Sequence, residues 1–415
     1  MTFADPVSAK NAVSARWLSI VGIGEDGIAG LSPAARALIE GAEVVFGGQR
    51  HLTLAAPLIH GRARPWPTPF GRAVADVLGE RPKRVCVLAS GDPFHYGIGA
   101  QLARQVPVAD MVIVPALSAF SLAAARLGWP LAETTLLALN GRALDLIRPH
   151  LHPGAHILAL SAGSETPGAL AQLLAASGFG DSRLTVLEAL GGPRECIRGT
   201  LTGTFDLAAI DPLNTMAIEV VAGAQARIIP RAPGLADSRF EHDGQITKRE
   251  VRALTLSALA PRRGERLWDI GAGAGSVAIE WMLADPSLRA IAVEAHAERA
   301  ARIPRNAAAL GVPGLEVVHG SAPAALAGLG RPDAIFIGGG ASEAGVLERS
   351  IEALPAGGRL VVNAVTLATE ALLIARHADV GGELTRIAIA RAEPLGGKTG
   401  WRPAMPVTQW TWVKP

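Results

Sequence analysis

Cysteine is almost absent: the 415 residues contain two, Cys86 and Cys196. That excludes a disulfide framework and any cysteine-based zinc site. Both lie in apolar or strand-like runs and read as buried or half-buried structural thiols. Aromatic residues make up 4% of the chain, with a single tyrosine, and Lys+Arg (39) nearly balances Asp+Glu (37) for a net charge of +2. A nucleic-acid binder needs a basic face and usually stacking platforms, so both shortages argue against one. No run reaches the ~18 apolar residues of a membrane span. The first 16 residues lack the continuous apolar stretch of a secretory signal. A soluble cytoplasmic protein is therefore expected, with no nucleic acid and no membrane among its partners.

What is abundant is apolar residues and glycine. Hydrophobic residues are 49% and charged residues 18%, enough for large cores and incompatible with global disorder. The length predicts two or three domains. Glycine numbers 47, and many glycines follow strand-like runs, where they serve ligand loops better than linkers. The stretch RIIPRAPGLADSRFEHDGQ (227–245) mixes proline, glycine and charge without a sustained period, as domain boundaries do. The expected organisation is a domain at 16–228, a linker at 229–245 and a domain at 246–415.

Both halves alternate short apolar runs with helix-like segments, the pattern of α/β layers with largely parallel strands. Strands are predicted at Leu18–Ile23, Glu43–Phe46, Val85–Ala89, Met111–Val114 and His156–Leu160, and in the second half at Arg266–Ile270, Ala290–Val293, Leu315–Val318, Ala334–Ile337 and Arg359–Val362. Ser32-Pro33 marks a helix start. Thr247-Lys248-Arg249-Glu250 reads as a capping box opening a helix to about Leu259. Leu384–Ala390 and Val407–Val413 are expected to close the second sheet as a hairpin.

The second half carries the clearest chemical signal. In WDIGAGAGSVAIEW (268–281) an apolar strand ends in Asp269-Ile270, Gly271, Gly273 and Gly275 form the turn, and a helix starts near Ser276. Glu294 lies 23 residues past Gly271 at the end of the next strand, where a carboxylate accepts both hydroxyls of a ribose. A dinucleotide site wants G-x-G-x-x-G around a pyrophosphate. G-x-G-x-G after an acidic strand end suits S-adenosylmethionine (SAM), which lacks phosphate. His319-Gly320-Ser321-Ala322 follows the third strand, where an adenine belongs, and Gly338-Gly339-Gly340 the fourth, where substrate and methyl donor meet. No N-P-P-Y-type sequence follows the fourth strand, which argues against an amino-methyltransferase acting on adenine or glutamine, and no cysteine stands near it, which removes a thiol nucleophile for base methylation.

VGIGEDG (21–27) contains G-x-G-x-x-G, but the next helix starts too late and the second strand ends without an acid, so no dinucleotide site is expected. His51, His60 and His95 are not spaced as a metal site, and His51 and His60 read as satisfied structural histidines.

GIGEDG, SGDPFHYG (90–97), VPALSAFSLAAARLGWP (114–130) and LNGR (139–142) together resemble the tetrapyrrole methylase family over nearly all of residues 16 to 225. Position 117 is Leu where many members have a small or β-branched residue. The second half looks like the decarboxylating precorrin methyltransferases, a class I SAM-dependent group, and PGLADSRFEHDGQITKREVRALTL looks like the junction seen when the two are fused in cobalamin biosynthesis. The implied fold class is α/β: an N-terminal two-lobed tetrapyrrole methylase fold plus a C-terminal Rossmann-like class I SAM methyltransferase.

By that resemblance the chain holds two SAM sites, one per domain. Gly22, Gly24, Asp92, His95, Ser118 and Ala119 would form the first. Thr247, Gly271, Ala272, Gly273, Ala274, Gly275, Glu294 and Ala322 would form the second, with Thr247 also open to a purely N-capping role. The implied chemistry is methylation of carbons 5 and 15 of a precorrin tetrapyrrole (precorrin-6B), with loss of carbon dioxide from the ring C acetate to give precorrin-8. The first half is assigned carbon 5, the second carbon 15 and the decarboxylation. Arg50, Arg62, Arg64, Arg72, Lys398 and Arg402 are candidate carboxylate anchors, each also readable as a solvated surface cation. A homo-oligomer through the C-terminal domain is a further expectation. An RNA methyltransferase, and a tetrapyrrole carrier with one inactive half, stand as rival readings.

Overall fold

A computed structural model describes residues 16–415. It divides into two compact units: residues up to Arg142 with Pro153–Ala226, and Ala143–His152 with Arg227–Pro415. The boundary stretch 227–245 is thus part of the second unit, as is the short 143–152 segment taken from the first half. That segment packs at the end of the Ala297–Ala309 helix, where a side chain on Gly311 (φ +82°) would overlap Pro149.

The first unit has two sheets. β1 (Leu18–Ile23), β2 (Val44–Gly47), β3 (Arg62–Pro65), β4 (Val85–Ser90) and β5 (Met111–Val114) form an all-parallel sheet in the order β3-β2-β4-β1-β5. β1 is buried along its whole length, as expected of a central parallel strand covered on both faces. The second sheet comprises β6 (Thr134–Ala138), β7 (His156–Leu160), β8 (Arg183–Glu188), β9 (Cys196–Leu201) and β10 (Asn214–Glu219), ordered β6-β7-β10-β8-β9. Only its β6–β7 pair is parallel, so parallel pairing does not extend to this lobe. The Ala119–Leu127 helix follows β5 and buries Phe120, Ala123 and Ala124 against Leu158, Leu187 and Ala217 of the second sheet. Cys86 is buried, which pushes its thiol up to about 12, whereas Cys196 is exposed at the start of the edge strand rather than half-buried.

The second unit is a seven-stranded sheet of β11 (Arg266–Ile270), β12 (Arg289–Glu294), β13 (Glu316–His319), β14 (Ala334–Ile337), β15 (Arg359–Ala364), β16 (Glu383–Ile387) and β19 (Val407–Val413), ordered β13-β12-β11-β14-β15-β19-β16. The first five run parallel. The order reverses beside β11, the switch point at which open α/β sheets bind ligands beyond their carboxyl ends. The Ser276–Ala284 helix, apolar nearly all round, is buried between sheet and boundary segment, with Trp281 fully enclosed. β16 and β19 pair antiparallel but are not a simple hairpin: β17 (Ala390–Leu395) and β18 (Lys398–Pro403) form a separate two-stranded hairpin between them. Among the described residues no helix is long and apolar enough to cross a membrane.

Candidate active sites

In the first unit, glycines bring three strand ends together. A side chain on Gly22 would overlap the Gly91 carbonyl and the Ala116 amide, and Gly91 (φ +54°) abuts Leu117 and Ser118. β1, β4 and β5 therefore meet backbone to backbone. Above them lies a cavity of about 350 Å³, closed on the other side by Asn140, Leu160, Ser161, Leu187, Leu190 and Asn214 of the second sheet and its loops. Gly24, His95, Ser118 and Ala119 line it, together with Glu25, Arg50, His51, Trp66, Ser90 and Tyr96.

Gly22 and Asp92 do not line it. Gly22 lies beneath as a packing glycine, and the Asp92 carboxylate accepts the Phe94 N–H at 2.8 Å, fixing the turn. Ser118 caps its helix by accepting from the Ser121 N–H at 3.1 Å, so its side chain is already engaged. His95 stacks on Tyr96 and lies tilted against Phe120, with ring centroids 5.3 and 4.7 Å away. Tyr96 adopts φ +60°, a conformation an aromatic residue rarely takes, and its hydroxyl donates to the Leu136 carbonyl at 3.2 Å.

The second cavity, about 850 Å³, opens at the carboxyl ends of β11 to β15. Gly271, Ala272, Gly273, Glu294, Ala322 and Thr247 line it; Ala274 and Gly275 do not. Ala274 is buried, and Gly275 (φ +75°) packs its Cα face on Ile303 to start the helix. A side chain on Gly271 (φ +69°) would overlap the Gly339 backbone, so the first and fourth strand loops also meet backbone to backbone. Glu294, 4% exposed, accepts the Gly273 N–H at 2.7 Å and the His296 N–H at 2.9 Å.

The 244–248 strap crosses the glycine loop, with the Gln245 carbonyl 3.2 Å from where a Gly273 side chain would be. Two anchors hold the strap. Arg299 bonds Asp243 at 2.8 Å, drawing that carboxyl down to about 2 with help from the Gln245 N–H. Fully buried Arg252 donates to the Thr247 and Leu235 carbonyls and to Glu280 (2.6 Å), and Glu280 also accepts the Gly234 and Leu235 N–H groups at 2.6 and 2.9 Å.

The expected capping box is not formed. The helix runs Arg249–Leu259 with Lys248 at its N-cap and no side-chain cap bond; Arg252 takes the Thr247 carbonyl, and Glu250 pairs with Arg391. Thr247 is left facing the cavity.

Asp269, buried beneath the loop, accepts the Ala278 N–H at 3.0 Å through Oδ2, while Oδ1 has no partner. Burial pushes its carboxyl up to about 7; the Ala278 bond opposes this and the Glu294 charge adds to it. The native state thus keeps a proton that the unfolded chain releases near the ordinary carboxyl value of about 4. Stability then falls as pH rises between about 4 and 7 and stays lowered above. Asp269→Asn is expected to remove that slope, so its advantage in melting temperature over the native chain grows from pH 4.5 to pH 7.5. An advantage independent of pH would refute the assignment.

Two family models divide the chain between them: tetrapyrrole (corrin/porphyrin) methylases match residues 18–204, and the precorrin methyltransferase domain matches 238–414. A precorrin-6Y C(5,15)-methyltransferase (decarboxylating) of Sinorhizobium sp is 60% identical over 411 residues, covering 99% of this chain and all of that protein. The chain belongs to the decarboxylating precorrin-6Y C(5,15)-methyltransferase family. A member from Mycobacterium tuberculosis (strain CDC 1551 / Oshkosh) is 43% identical over 400 residues, covering 95% of this chain and 99% of its own. The crystal structure of the C-terminal domain of precorrin-6Y C5,15-methyltransferase from Rhodobacter capsulatus is 52% identical, covers 45% of this chain and all of that one, and has a TM-score of 0.43. The family makes this chain a methyltransferase, with SAM as methyl donor.

Both cavities fit that donor. In the second, the absence of side chains at Gly271 and Gly273 lets backbone line the cavity, and Glu294 spends two of about four acceptor positions on backbone N–H groups, so the others could accept vicinal hydroxyls. In the first, Asn214 is 7% exposed and lines the wall with Oδ1 unpartnered, while its Nδ2 donates to the Gly163 and Asp211 carbonyls. Those two bonds fix the amide orientation and leave a buried acceptor for a ligand amine.

Of the cations predicted to hold substrate carboxylates, only Arg50 lines a cavity. Arg62 and Arg64 donate to Glu80 at 2.5 and 2.7 Å, outside the first cavity, and Arg72 is exposed on the surface. Lys398 and Arg402 lie on the exposed β17–β18 hairpin, Arg402 bonded to Glu393 at 3.1 Å. The cations that do line the second cavity are Lys248, Arg299 and Arg391, with Asn363 and His296 beside them. Sequence reasoning missed these, as it missed Tyr96 and Asn214. The one available signal was Tyr96, the chain's single tyrosine, inside a quoted motif.

Proposed function

We propose that the chain converts precorrin-6B to precorrin-8 in cobalamin biosynthesis, its first unit methylating carbon 5 and its second unit methylating carbon 15 and removing the ring C acetate carboxyl. The observation that carries this reading is the presence of two separate cavities, one per unit, each built on glycine loops at strand carboxyl ends. When bound, SAM supplies an activated methyl group on a sulfonium. The electron-rich ring carbon is the nucleophile, so neither unit needs a nucleophile of its own. The chain's residues orient and enclose, and alignment alone is worth up to ~7–11 kcal/mol of barrier in the best cases.

In the second unit Gly271, Ala272, Gly273, Glu294, Ala322 and Thr247 would hold the donor, and in the first Gly24, His95, Ser118 and Ala119. The second cavity has two different walls. Lys248, Arg299 and Arg391 offer charge-assisted bonds to ring carboxylates. Val251, Ile387, Ile389, Met405 and Val407 form an apolar wall. A carboxylate destined to leave as carbon dioxide is suited to the apolar side, since a cation beside it would hold the charge that must be lost.

Calorimetry of the whole chain with S-adenosylhomocysteine is expected to give two equivalents bound. Mass spectrometry of the product from precorrin-6B is expected to show two added methyl groups and one lost carbon dioxide. One equivalent, or one added methyl, would overturn the two-site reading.

A further inference from the structure

The first cavity also holds a polar cluster that the donor contacts proposed above do not include. Arg50 and His51 are adjacent in the first turn of the Gln49–Ala55 helix, Ser90 closes β4, and Glu25 follows β1. All four line the cavity. His51 Nε2 lies 2.8 Å from Ser90 Oγ and 2.8 Å from Arg50 Nη2, and Nη2 lies 2.9 Å from Ser90 Oγ. A guanidinium only donates, so Nε2 is an acceptor and the ring proton sits on Nδ1. That Nδ1 is buried with no partner, so His51 is not the satisfied structural histidine its sequence context implies.

Burial and the Arg50 charge keep the ring neutral, lowering its pKa to about 4. Arg50 is itself ion-paired with Glu25, which also meets Arg194 at 3.3 Å. The other elements packed on this helix add no charge at the ring: β2 and the turn 27–30 carry none, Ser90 is the polar group of β4, and Arg62 and Arg64 of β3 are bound to Glu80.

We propose that His51, through Ser90, accepts the proton released in the first unit's methyl transfer, and that Arg50 masks it until a substrate carboxylate arrives. This rests on the reading that the first unit methylates a ring carbon bearing hydrogen. The step balances. An electron pair of the ring carbon forms the new C–C bond, and the C–S bond breaks with its pair staying on sulfur. The carbon then carries both hydrogen and methyl. Its proton passes to Ser90 Oγ as the Ser90 hydroxyl proton passes to His51 Nε2, and the C–H pair returns to the ring π system. The imidazolium later loses its proton to water.

In the resting geometry Arg50 occupies the Nε2 lone pair. A ring carboxylate offers that guanidinium a two-pronged, charge-assisted partner. Once Arg50 turns to it, Nε2 is free, and the guanidinium no longer lies against the ring that must take up the proton. Arg50 is then a positioning residue that makes the base available only when the polycarboxylate substrate is seated.

Two measurements on the full chain test this. In the first, histidine ring NMR is titrated in wild type and Arg50→Gln, with His51→Gln identifying the signal. The His51 midpoint is expected to rise in Arg50→Gln toward the ordinary value of about 6.5; an unmoved midpoint overturns the masking role.

In the second, carbon-13 methyl-labelled SAM and precorrin-6B give two resolved product methyl signals. His51→Gln is expected to slow labelling of carbon 5 by about 10²-fold, the scale of one positioned proton acceptor. A primary isotope effect with deuterium at that carbon should appear that wild type lacks, while S-adenosylhomocysteine binding is unchanged. Ser90→Ala, which leaves the imidazole in place, is expected to show the same isotope effect with a smaller loss. Wild-type rates without an isotope effect in both variants overturn this proposal alone. A wild-type chain that never labels carbon 5 overturns the reading of the first unit and this proposal with it.

Discussion

Arg252→Leu is expected to destabilise the second unit by about 3–5 kcal/mol, because it leaves the buried Glu280 carboxylate without its cation. Arg252 is fully enclosed and Glu280 nearly so, and together they satisfy two carbonyls and two N–H groups of the 234–247 stretch. The pair thus ties the boundary segment to the Arg249–Leu259 and Ser276–Ala284 helices rather than simply adding stability. Arg252 also lies over the Phe240 ring, 4.8 Å from its centroid. Denaturant unfolding of the full chain should show the transition of the second unit moved to lower urea while that of the first stays in place. Adding Glu280→Leu removes the stranded charge and should restore part of the loss, though not the bonds to Gly234 and Leu235. A single variant within 1 kcal/mol of wild type would show that the pair carries no such weight.

How much of this was legible in the sequence follows from what each signal reports. Strands buried on both faces read as continuous apolar runs. β1, β7, β11 and β14 fall at the predicted residues for that reason. The exposed strands β9, β17 and β18 bury no face and were missed, but so were β3, β6 and the largely buried β8 and β10, so burial alone does not make a strand legible. The capping box failed because its motif describes a helix end in isolation, whereas in the fold the Glu250 carboxylate that would close the box pairs with Arg391 and the helix starts with Lys248 at its N-cap.

The glycine loops were legible because only glycine tolerates the positive φ and backbone contact at Gly271. Charge partners were not. Glu80 reaches Arg62 and Arg64 across 18 and 16 residues, and nothing in their spacing says so. Arg391, Asn363 and Asn214 enter their cavities from strands or strand ends far from any recognisable motif, placed by topology alone.

Glu294→Ala is expected to lower S-adenosylhomocysteine binding of the full chain from two equivalents to one, leaving the first unit's site intact. The carboxylate does two jobs that both depend on its charge. It accepts the Gly273 and His296 N–H groups, which shapes the loop floor before any ligand arrives, and its remaining acceptor positions face the cavity. Hydrogen bonds to a charged group contribute about 1.5–3 kcal/mol each, so losing two to a vicinal diol costs about 3–6 kcal/mol, or at least 10²-fold in affinity.

The loop adds to the loss, since the Gly273 N–H is left without its acceptor. Gly271→Val reaches the same end by another route, setting a branched side chain at φ +69° against the Gly339 backbone without touching the carboxylate. Both variants should lose the second equivalent while methyl labelling of carbon 5 persists. If Glu294→Ala still binds two equivalents at unchanged affinity, the cavity over the 271–273 loop does not hold the donor by its ribose, and the strap residues 244–248 become the place to look for what does.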